Sequence, residues 1–204
     1  MLHKGIYAIT DEILTPSHTI LAQVEAALEG GIKLLQYRNK TAQDEEIEAL
    51  CIELQNLCRL YNVSFIIDDR SYLAQKIGAD GLHIGKNDIA LSEARAIFTQ
   101  GFIGVSCYGS ITKALEAQNE GANYVAFGSF FPSPTKPLSG IVPISIIQKA
   151  KEALTIPVCA IGGINITNIH EITATHPDMI SVVSAVWDGD IRRNIKQLKQ
   201  GMSV

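Results

Sequence analysis

Phosphate-binding side chains are concentrated in residues 36–40, which read Gln-Tyr-Arg-Asn-Lys. Alternate residues of an extended chain share one side, so Gln36, Arg38 and Lys40 are predicted to face the same way. A guanidinium offers a planar fork to phosphate oxygens, and an ammonium adds a point charge. The segment therefore predicts an anion site with Arg38 and Lys40 as its charged ligands.

A second segment with this chemistry spans residues 131–137 and reads Phe-Pro-Ser-Pro-Thr-Lys-Pro. Its prolines stiffen the loop, because each one fixes its own φ angle. Ser133 and Thr135 supply hydroxyl donors, and Lys136 supplies another positive charge. We expect this loop to help bind a phosphorylated substrate.

Carboxylates follow two other apolar segments. Asp68 and Asp69 end one of them, and Asp88 follows the next along the chain. Oxygen ligands from Asp69 and Asp88 suit Mg²⁺ that is shared with a substrate diphosphate, so Mg²⁺ is the expected cofactor. A structural alternative is that the carboxylates pair with Arg38 and Lys40 in a network at the rim, while Asp88 caps the helix that follows.

Small and hydroxyl residues follow the remaining apolar segments. Gly162 and Gly163 lie at the end of the seventh segment (residues 156–163), Ser184 and Ala185 near the end of the eighth (179–186), and Ser106 near the end of the fifth (102–107). Backbone N–H groups after strands 7 and 8 often bind phosphate in α/β barrels. These positions predict a second anion site, although the glycine pair is equally compatible with a simple tight turn.

Five residues with reactive side chains are expected to have structural roles: Cys51, Cys58, Cys107, Cys159 and His83. The cysteines form no CxxC pair and are too few for a disulfide scaffold, so we expect reduced thiols that pack as small hydrophobes. The histidine lies in an apolar segment, where a hydrogen-bonded core residue is expected more often than a catalyst.

The elements that must position the polar residues are eight short apolar segments that alternate with amphipathic stretches. The apolar segments are residues 5–10, 32–37, 64–69, 81–85, 102–107, 124–130, 156–163 and 179–186. The amphipathic stretches are residues 18–30, 43–61, 71–79, 91–100, 111–121, 145–154, 165–173 and 190–200. Eight βα units predict an α/β protein, a (β/α)₈ TIM barrel forming one domain over residues 1–204. An open doubly wound sheet is the alternative, but neither GxGxxG nor GxxxxGK[ST] occurs.

Composition limits the classes of partner. Hydrophobic residues make up 47% of the 204 residues, which is ample for a core, and the net charge is −4. A net negative chain has no general attraction for nucleic acid or an anionic membrane, so neither is expected as a partner. The N-terminus lacks the pattern of a cleaved signal and no 20-residue apolar window occurs, which predicts a cytoplasmic protein. A homo-oligomer is left open.

The motifs resemble the thiamine phosphate synthase family over essentially the whole chain, in order and in spacing. The resemblance rests on LLQYRNK (34–40), IIDDRSYLA (66–74), GADGLHIGKND (78–88), GVS (104–106), GANYVAFGSFFPSPTKP (121–137), AIGGI (160–164) and VVSAV (182–186). The related thiazole tautomerases place a histidine in the loop after strand 6, and residues 131–137 contain none.

The resemblance implies an enzyme that acts on two small-molecule substrates. It would transfer a hydroxymethylpyrimidine group from its diphosphate to the nitrogen of a thiazole phosphate, releasing pyrophosphate. The family's reaction is dissociative, with the pyrimidine amino group helping to expel the diphosphate. Matching positions imply the following roles: Arg38, Lys40 and Lys136 on the leaving diphosphate, with Asp68 beside them; Asp69 and Asp88 on Mg²⁺; Gln36 and Ser106 on the pyrimidine; Ser133 and Thr135 on substrate phosphates; Gly163, Ser184 and Ala185 on the thiazole phosphate.

Two residues depart from the family pattern. Asp68 stands where Asn is usual, and Lys86 stands where Gln is usual. The two changes cancel in formal charge, so we expect Lys86 to pair with Asp68 and to offset a carboxylate that would otherwise repel the diphosphate.

Other functions are compatible with parts of the pattern. A tautomerase-like enzyme, or a non-catalytic protein that binds thiazole or thiamine phosphate, would use the phosphate sites but would have little need of a metal site. A Schiff-base aldolase would need a desolvated lysine within a strand, whereas Lys136 lies in a loop.

Overall fold

The computed structural model describes residues 4–133 and 140–202. Eight parallel strands pair in chain order, and β1 also pairs with β8, which closes a barrel. The strands are β1 (Gly5–Ile9), β2 (Leu34–Tyr37), β3 (Ser64–Asp68), β4 (Gly81–Ile84), β5 (Phe102–Tyr108), β6 (Tyr124–Phe127), β7 (Val158–Ile161) and β8 (Met179–Val182). The predicted (β/α)₈ barrel is confirmed, and the open sheet is excluded. The predicted domain limits of 1–204 include terminal residues that lie outside the described ranges.

Helices connect the strands as the amphipathic stretches predicted. They are α1 (Ile20–Gly30), α2 (Asp44–Leu60), α3 (Ser71–Ile77), α4 (Leu91–Ile97), α5 (Ile111–Asn119), α6 (Ile146–Ala153), α7 (Ile169–Thr173), α8 (Ser184–Trp187) and α9 (Ile191–Gly201). The one-turn helix α8 was not predicted, because Ser184 and Ala185 were assigned to the end of the eighth strand. That strand ends at Val182, so both residues open a helix instead.

The strands bury apolar side chains on both sides. Their outward side chains pack under the helices in one large core, while a smaller cluster is enclosed by the strands themselves. The inner cluster consists of Tyr7, Ile9, Leu34, Ile66, Tyr124, Ala126, Cys159 and Met179. Burial on two faces explains why these segments are nearly continuous apolar runs.

The N-terminal face of the barrel is fastened by a repeated hydrogen bond. The residue just before β4, β6 or β8 accepts, through a side-chain oxygen, the backbone N–H at or next to the first residue of the preceding strand. The N–O pairs are Phe65 to Asp80 (2.8 Å), Ile103 to Asn123 (2.7 Å) and Val158 to Asp178 (3.0 Å). Strand starts that would otherwise leave buried N–H groups unpaired are thereby satisfied.

The four cysteines are free and buried, as predicted. Burial raises the pKa of Cys51, Cys58 and Cys107 to about 12, so they are thiols at neutral pH and not nucleophiles. Within the described ranges, none of the helices is both long enough and apolar enough to cross a membrane.

Candidate active site

A cavity of about 640 Å³ opens at the C-terminal ends of the strands. Most of the predicted site residues line it, namely Gln36, Arg38, Lys40, Asp68, Asp88, Ser106, Ser133, Gly163 and Ser184. Asp69 and Ala185 are not among the lining residues, although Asp69 contacts Lys40. Thr135 and Lys136 lie outside the described residues. The barrel thus brings most of the sequence-predicted set together at one mouth.

The loop that carries Lys40 is fastened by an arginine of the neighbouring strand end. Arg70 donates from Nη2 to the carbonyl oxygens of Asn39 and Ala42, both at 2.7 Å. The backbone N–H of Lys40 also donates to Glu12 Oε1 at 2.6 Å. These bonds hold the segment after β2 over the mouth, so that the ammonium group of Lys40 points at the end of β3.

Lys40 lies between two adjacent carboxylates. Its Nζ is 2.9 Å from Asp68 Oδ2 and also bonds Asp69 Oδ2. Arg38 Nε lies 3.6 Å from the same oxygen of Asp68. The structural alternative of a rim network of ion pairs is therefore present in the structure, formed by the same cations that were predicted to bind phosphate.

The predicted pair between Lys86 and Asp68 is wrong. In residues 4–133 and 140–202 the ion pairs of Asp68 are with Lys40 and Arg38, and none joins it to Lys86. Lys86 lines the cavity from an exposed position after β4, whereas Asp68 is buried at the end of β3. The structural alternative in which Asp88 caps the next helix is excluded, because Asp88 Oδ2 accepts the N–H of Gly85 at 2.6 Å and α4 has no side-chain cap.

The carboxylates of the mouth are incompletely neutralised. Burial raises the pKa of Asp68 and of Asp69, and the nearby charge of Asp88 raises both further, although Lys40 opposes these effects. Burial alone would lower the pKa of Lys40, but the charges of Asp68 and Asp69 outweigh burial and raise it. Three neighbouring carboxylates, two of which share Lys40, can supply oxygen ligands to a bound cation.

The donor set fits Mg²⁺ only if substrate oxygens complete the coordination. No cluster of three or more His, Cys, Asp or Glu side chains in the described ranges is arranged to hold a metal ion. Mg²⁺ usually takes one or two carboxylates and completes its shell with water and substrate phosphates. Asp69 and Asp88, which interact electrostatically, match that requirement.

Below the charged rim, neutral side chains form a continuous hydrogen-bonded chain. Gln36 Nε2 donates to Tyr7 Oη at 2.7 Å, and Tyr7 Oη is 2.9 Å from Tyr124 Oη. Tyr124 Oη is 2.8 Å from His83 Nδ1, and His83 Nε2 is 2.9 Å from Ser106 Oγ. The histidine is therefore a hydrogen-bonded core residue, as expected, and it also lines the cavity. No sequence motif indicates a role for the two tyrosines.

The opposite side of the mouth is built from backbone. Gly162 and Gly163 have φ angles of 107° and 68°, in the region that favours glycine. A Cβ on Gly163 would lie 2.4 Å from the carbonyl oxygen of Phe131, and the glycine carbonyl accepts from Asn168 Nδ2 at 3.0 Å. The turn therefore has a role beyond connecting two elements: it packs directly under the loop after β6.

Helix α8 brings Ser184 to the same side. Trp187 Nε1 donates to the carbonyl oxygen of Ile9 at 2.6 Å, which anchors this one-turn helix to β1. The first N–H groups of a helix have no acceptor within it. Gly163 and Ser184 both line the cavity, so backbone donors and a hydroxyl are available there.

Sequence reasoning missed further residues of the cavity wall. Lys113 lines it from the first turn of α5, with Nζ 6.0 Å from the centre of the Tyr108 ring. Ser181 lines it from β8, and its Oγ is a buried oxygen with no hydrogen-bond partner in the described part of the chain. Both residues lie in segments whose apolar or helical pattern gives no sign of the side chain's direction.

The fold and the mouth define a (β/α)₈-barrel enzyme whose charged groups lie at the C-terminal strand ends, where barrel active sites are found. A sequence model of the family described as thiamine monophosphate synthase matches residues 6–186. The chain belongs to this family and is a transferase, like the thiamine-phosphate synthases that it matches.

Individual relatives agree with this assignment. The chain is 45% identical over 201 residues to the thiamine-phosphate synthase of Wolinella succinogenes, covering 97% of this chain and 93% of that protein. It is 43% identical to the thiamine-phosphate synthase of Thioalkalivibrio sulfidiphilus, covering 90% and 88%. Among solved structures, the thiamine phosphate pyrophosphorylase of Pyrococcus furiosus superposes with a TM-score of 0.89 at 36% identity, covering 99% of this chain and 96% of that one.

Proposed function

We propose that the chain transfers the hydroxymethylpyrimidine group from its diphosphate to thiazole phosphate, forming thiamine phosphate and pyrophosphate. The observation that carries the proposal is that the cavity at the mouth has two chemically different walls. One wall presents charged side chains after β2, β3 and β4, and the other presents backbone and hydroxyl groups after β7 and β8. Two phosphorylated substrates that must meet would each need one wall.

The charged wall suits the leaving diphosphate. Arg38 and Lys40 lie beside the carboxylates of Asp68 and Asp69, and Ser133 lines the cavity at the start of the loop after β6. A diphosphate would take over the cations from the carboxylates. In this proposal Thr135 and Lys136 add a hydroxyl and a charge from the remainder of that loop.

Asp69, once released from Lys40 in this way, would hold the metal together with Asp88, which has no ion pair in the described ranges. Asp69 and Asp88 are the proposed Mg²⁺ ligands, and Asp68 keeps Lys40 and Arg38 near them. Bound Mg²⁺ supplies charge neutralisation to the oxygens of the departing diphosphate. Cations at the site of developing charge typically contribute several kcal/mol to a transition state.

The remaining groups would bind the two organic rings. Gln36 and Ser106 are proposed to contact the pyrimidine, while Gly163, Ser184 and Ala185 are proposed to hold the thiazole phosphate. The bond between the pyrimidine methylene carbon and the diphosphate oxygen breaks, and its electron pair leaves with the diphosphate. The lone pair of the thiazole nitrogen then forms the new carbon–nitrogen bond, so no enzyme nucleophile is required.

The free, buried cysteines fit the cytoplasmic location that we propose.

The proposal is tested by incubating the protein with both substrates and Mg²⁺. We expect thiamine phosphate and pyrophosphate to appear in equal amounts, and we expect a chelator to stop the reaction. The Lys136→Ala and Asp69→Ala variants should lose most activity. Binding of thiazole phosphate without product would overturn the activity, and full activity in either variant would overturn the role of that residue.

A further inference from the structure

The hydrogen-bonded chain below the rim joins three residues of the cavity wall, Gln36, His83 and Ser106, and includes two tyrosines that are buried beneath it. Gln36 on β2 and Ser106 on β5 line the cavity, whereas Tyr7 and Tyr124 do not, and both tyrosines are fully buried. The chain crosses the barrel interior and includes side chains from five strands. Breaking it at a tyrosine therefore changes the ends without removing a group that the ligand would contact.

We assign the bonds of this chain the one direction that follows from the Gln36 donor when each tyrosine proton is used within the chain. The donor at the first bond is the amide nitrogen of Gln36, so Tyr7 accepts there and has one proton left for Tyr124. By the same count, Tyr124 donates its only proton to His83.

The tautomer of His83 determines the direction of the last hydrogen bond, to Ser106. Because His83 Nδ1 accepts from Tyr124, the ring proton is on Nε2, which faces Ser106. Ser106 Oγ therefore accepts from the ring, and its own proton is free for the cavity. At the opposite end, the carbonyl oxygen Oε1 of Gln36 has no partner within residues 4–133 and 140–202 and is available as an acceptor.

We propose that the buried chain fixes the hydrogen-bonding polarity of the pyrimidine pocket, with a donor at Ser106 and an acceptor at Gln36, and so selects an aminopyrimidine over an oxopyrimidine. This inference rests on the proposed function, because it specifies which heterocycle that site accepts. A ring nitrogen accepts from Ser106, and an exocyclic amine donates to Gln36. With an oxo group in place of the amine, two acceptors, the oxo oxygen and Gln36 Oε1, would face each other.

The hydrogen-bonded chain also explains why the side-chain amide of Gln36 cannot rotate to bind an oxopyrimidine. Turning the amide over would present an N–H to the cavity but would require all four bonds and the histidine tautomer to reverse together. Tyr7, Tyr124 and His83 are thus positioning residues that determine specificity. A site that is committed to one donor and acceptor pattern rejects the opposite pattern strongly, because buried polar groups are left unpaired.

The first test needs no substrate. Nitrogen-15 NMR of histidine-labelled protein should show His83 as the Nε2–H tautomer, assigned by the signal that disappears in His83→Gln. In Tyr124→Phe, which keeps the ring but removes the donor, the signal should shift toward a mixture of tautomers. An Nδ1–H tautomer in the unsubstituted protein would overturn the proposal, whatever the enzyme's activity.

The second test compares the amino and oxo forms of the pyrimidine diphosphate as substrates. In Tyr124→Phe and in Tyr7→Phe we expect the preference for the amino form in kcat/KM to fall about tenfold, with KM for thiazole phosphate unchanged. Tyr72→Phe, which removes an exposed hydroxyl on α3, should leave the preference intact. An unchanged preference in both folded chain variants would overturn the inference, whereas no turnover of either substrate by the unsubstituted protein would overturn the proposed function.

Discussion

Two buried aspartates at opposite ends of the barrel have similar neighbours but opposite electrostatics. Asp178, before β8, is 7% exposed and lies 2.7 Å from Lys4 Nζ and 2.6 Å from Lys151 Nζ. Asp68, at the end of β3, is 8% exposed and also has two cations beside it. Burial favours the neutral form at both, yet the pKa of Asp178 is lowered and that of Asp68 is raised.

The difference lies in what else surrounds each carboxylate. Asp178 adds a backbone N–H from Val158 to its two lysines, and together they outweigh burial. Asp68 shares Lys40 with Asp69 and is also near Asp88. The carboxylate of the N-terminal face is therefore fully paired and serves stability, whereas the carboxylates of the mouth share Lys40 and could exchange it for a cation when an anionic ligand binds.

The largest effect expected from this contrast concerns the same substitution on the two faces. Lys40→Met should lower kcat/KM by about 100-fold to 1000-fold, because it removes a proposed ligand of the diphosphate and leaves Asp68 and Asp69 to repel it. Lys4→Met, on the N-terminal face, should leave kcat/KM unchanged. Steady-state kinetics of both variants measures the difference.

A third lysine provides the control for this comparison. Lys86→Met removes a cation that lines the same cavity but is not ion-paired to a carboxylate in the described ranges. We expect a much smaller loss than in Lys40→Met. If the two losses were equal, overall positive charge at the mouth would matter and the specific position of Lys40 would not.

Two left-handed glycines extend the comparison to the backbone. Gly121, with φ 93°, has open space where a Cβ would go, whereas Gly163 has two carbonyl oxygens within 2.5 Å of that point. Gly121→Ala should cost about 1–2 kcal/mol of unfolding free energy from backbone conformation alone. Gly163→Ala should cost about 1–3 kcal/mol more, because the turn must move.

Denaturant unfolding of the two alanine variants gives the steric contribution as a difference. The Gly163 variant should also raise KM for thiazole phosphate, while KM for the pyrimidine substrate should change less. An equal loss of stability at Gly121 and Gly163 would mean that the turn yields easily and does not hold a fixed phosphate site.

The sequence was sufficient to predict the barrel and most of the wall of its mouth. Eight β-branched runs with helices between them leave few topologies, and side chains at strand ends must converge in a closed parallel sheet. Helix α8 was not predicted because residues 179–186 form one nearly apolar run that is typical of a single strand. In the structure Ser184 and Ala185 lie in a one-turn helix that Trp187 anchors to β1.

The sequence offered the rim pairs of Arg38 and Lys40 with Asp68 and Asp69 as an alternative, but other pairings between distant side chains could not be predicted. Tyr7 and Tyr124 are separated by 117 positions, and neither their types nor their spacing indicates a shared hydrogen bond. Lys86 was paired with Asp68 on formal charge alone, whereas the path of the loop after β2 brings Lys40 there first. Charge balance along a sequence does not determine which cation reaches a buried carboxylate.

Amide substitutions of the two aspartates should have opposite effects on stability. Asp178→Asn should lower the free energy of unfolding by about 1–3 kcal/mol, since charged hydrogen bonds to a satisfied carboxylate are lost. Asp68→Asn should leave stability unchanged or raise it, because it removes one of the crowded carboxylates. Urea unfolding at pH 7 measures both, and a larger loss at Asp68 would contradict the contrast.

The pH dependence of these differences has a definite sign. The folded pKa of Asp178 is lowered, so its stabilisation is present above its unfolded pKa and is lost as pH falls through the folded value. The folded pKa of Asp68 is raised, so its charge costs stability at neutral pH and the cost disappears as pH falls through that raised value. From pH 7 toward pH 4, any advantage of Asp68→Asn should shrink, while the deficit of Asp178→Asn should persist. Parallel trends in the two variants would refute this assignment.

The smallest effect expected comes from two serines of the cavity wall that differ in whether they are paired. Ser181 is 2% exposed and its Oγ has no partner in the described part of the chain, whereas Ser106 Oγ lies 2.9 Å from His83 Nε2. An unpaired buried hydroxyl costs about 1 kcal/mol, so Ser181→Ala should raise the free energy of unfolding by that amount. Ser106→Ala should lower it by a similar amount, because His83 loses its acceptor. Thermal and urea unfolding of the two variants measures the sign of each change in unfolding free energy. A loss of stability in Ser181→Ala would show that its hydroxyl already has a hydrogen-bond partner. In that case only the charged rim would reduce the stability of the fold in order to bind a ligand.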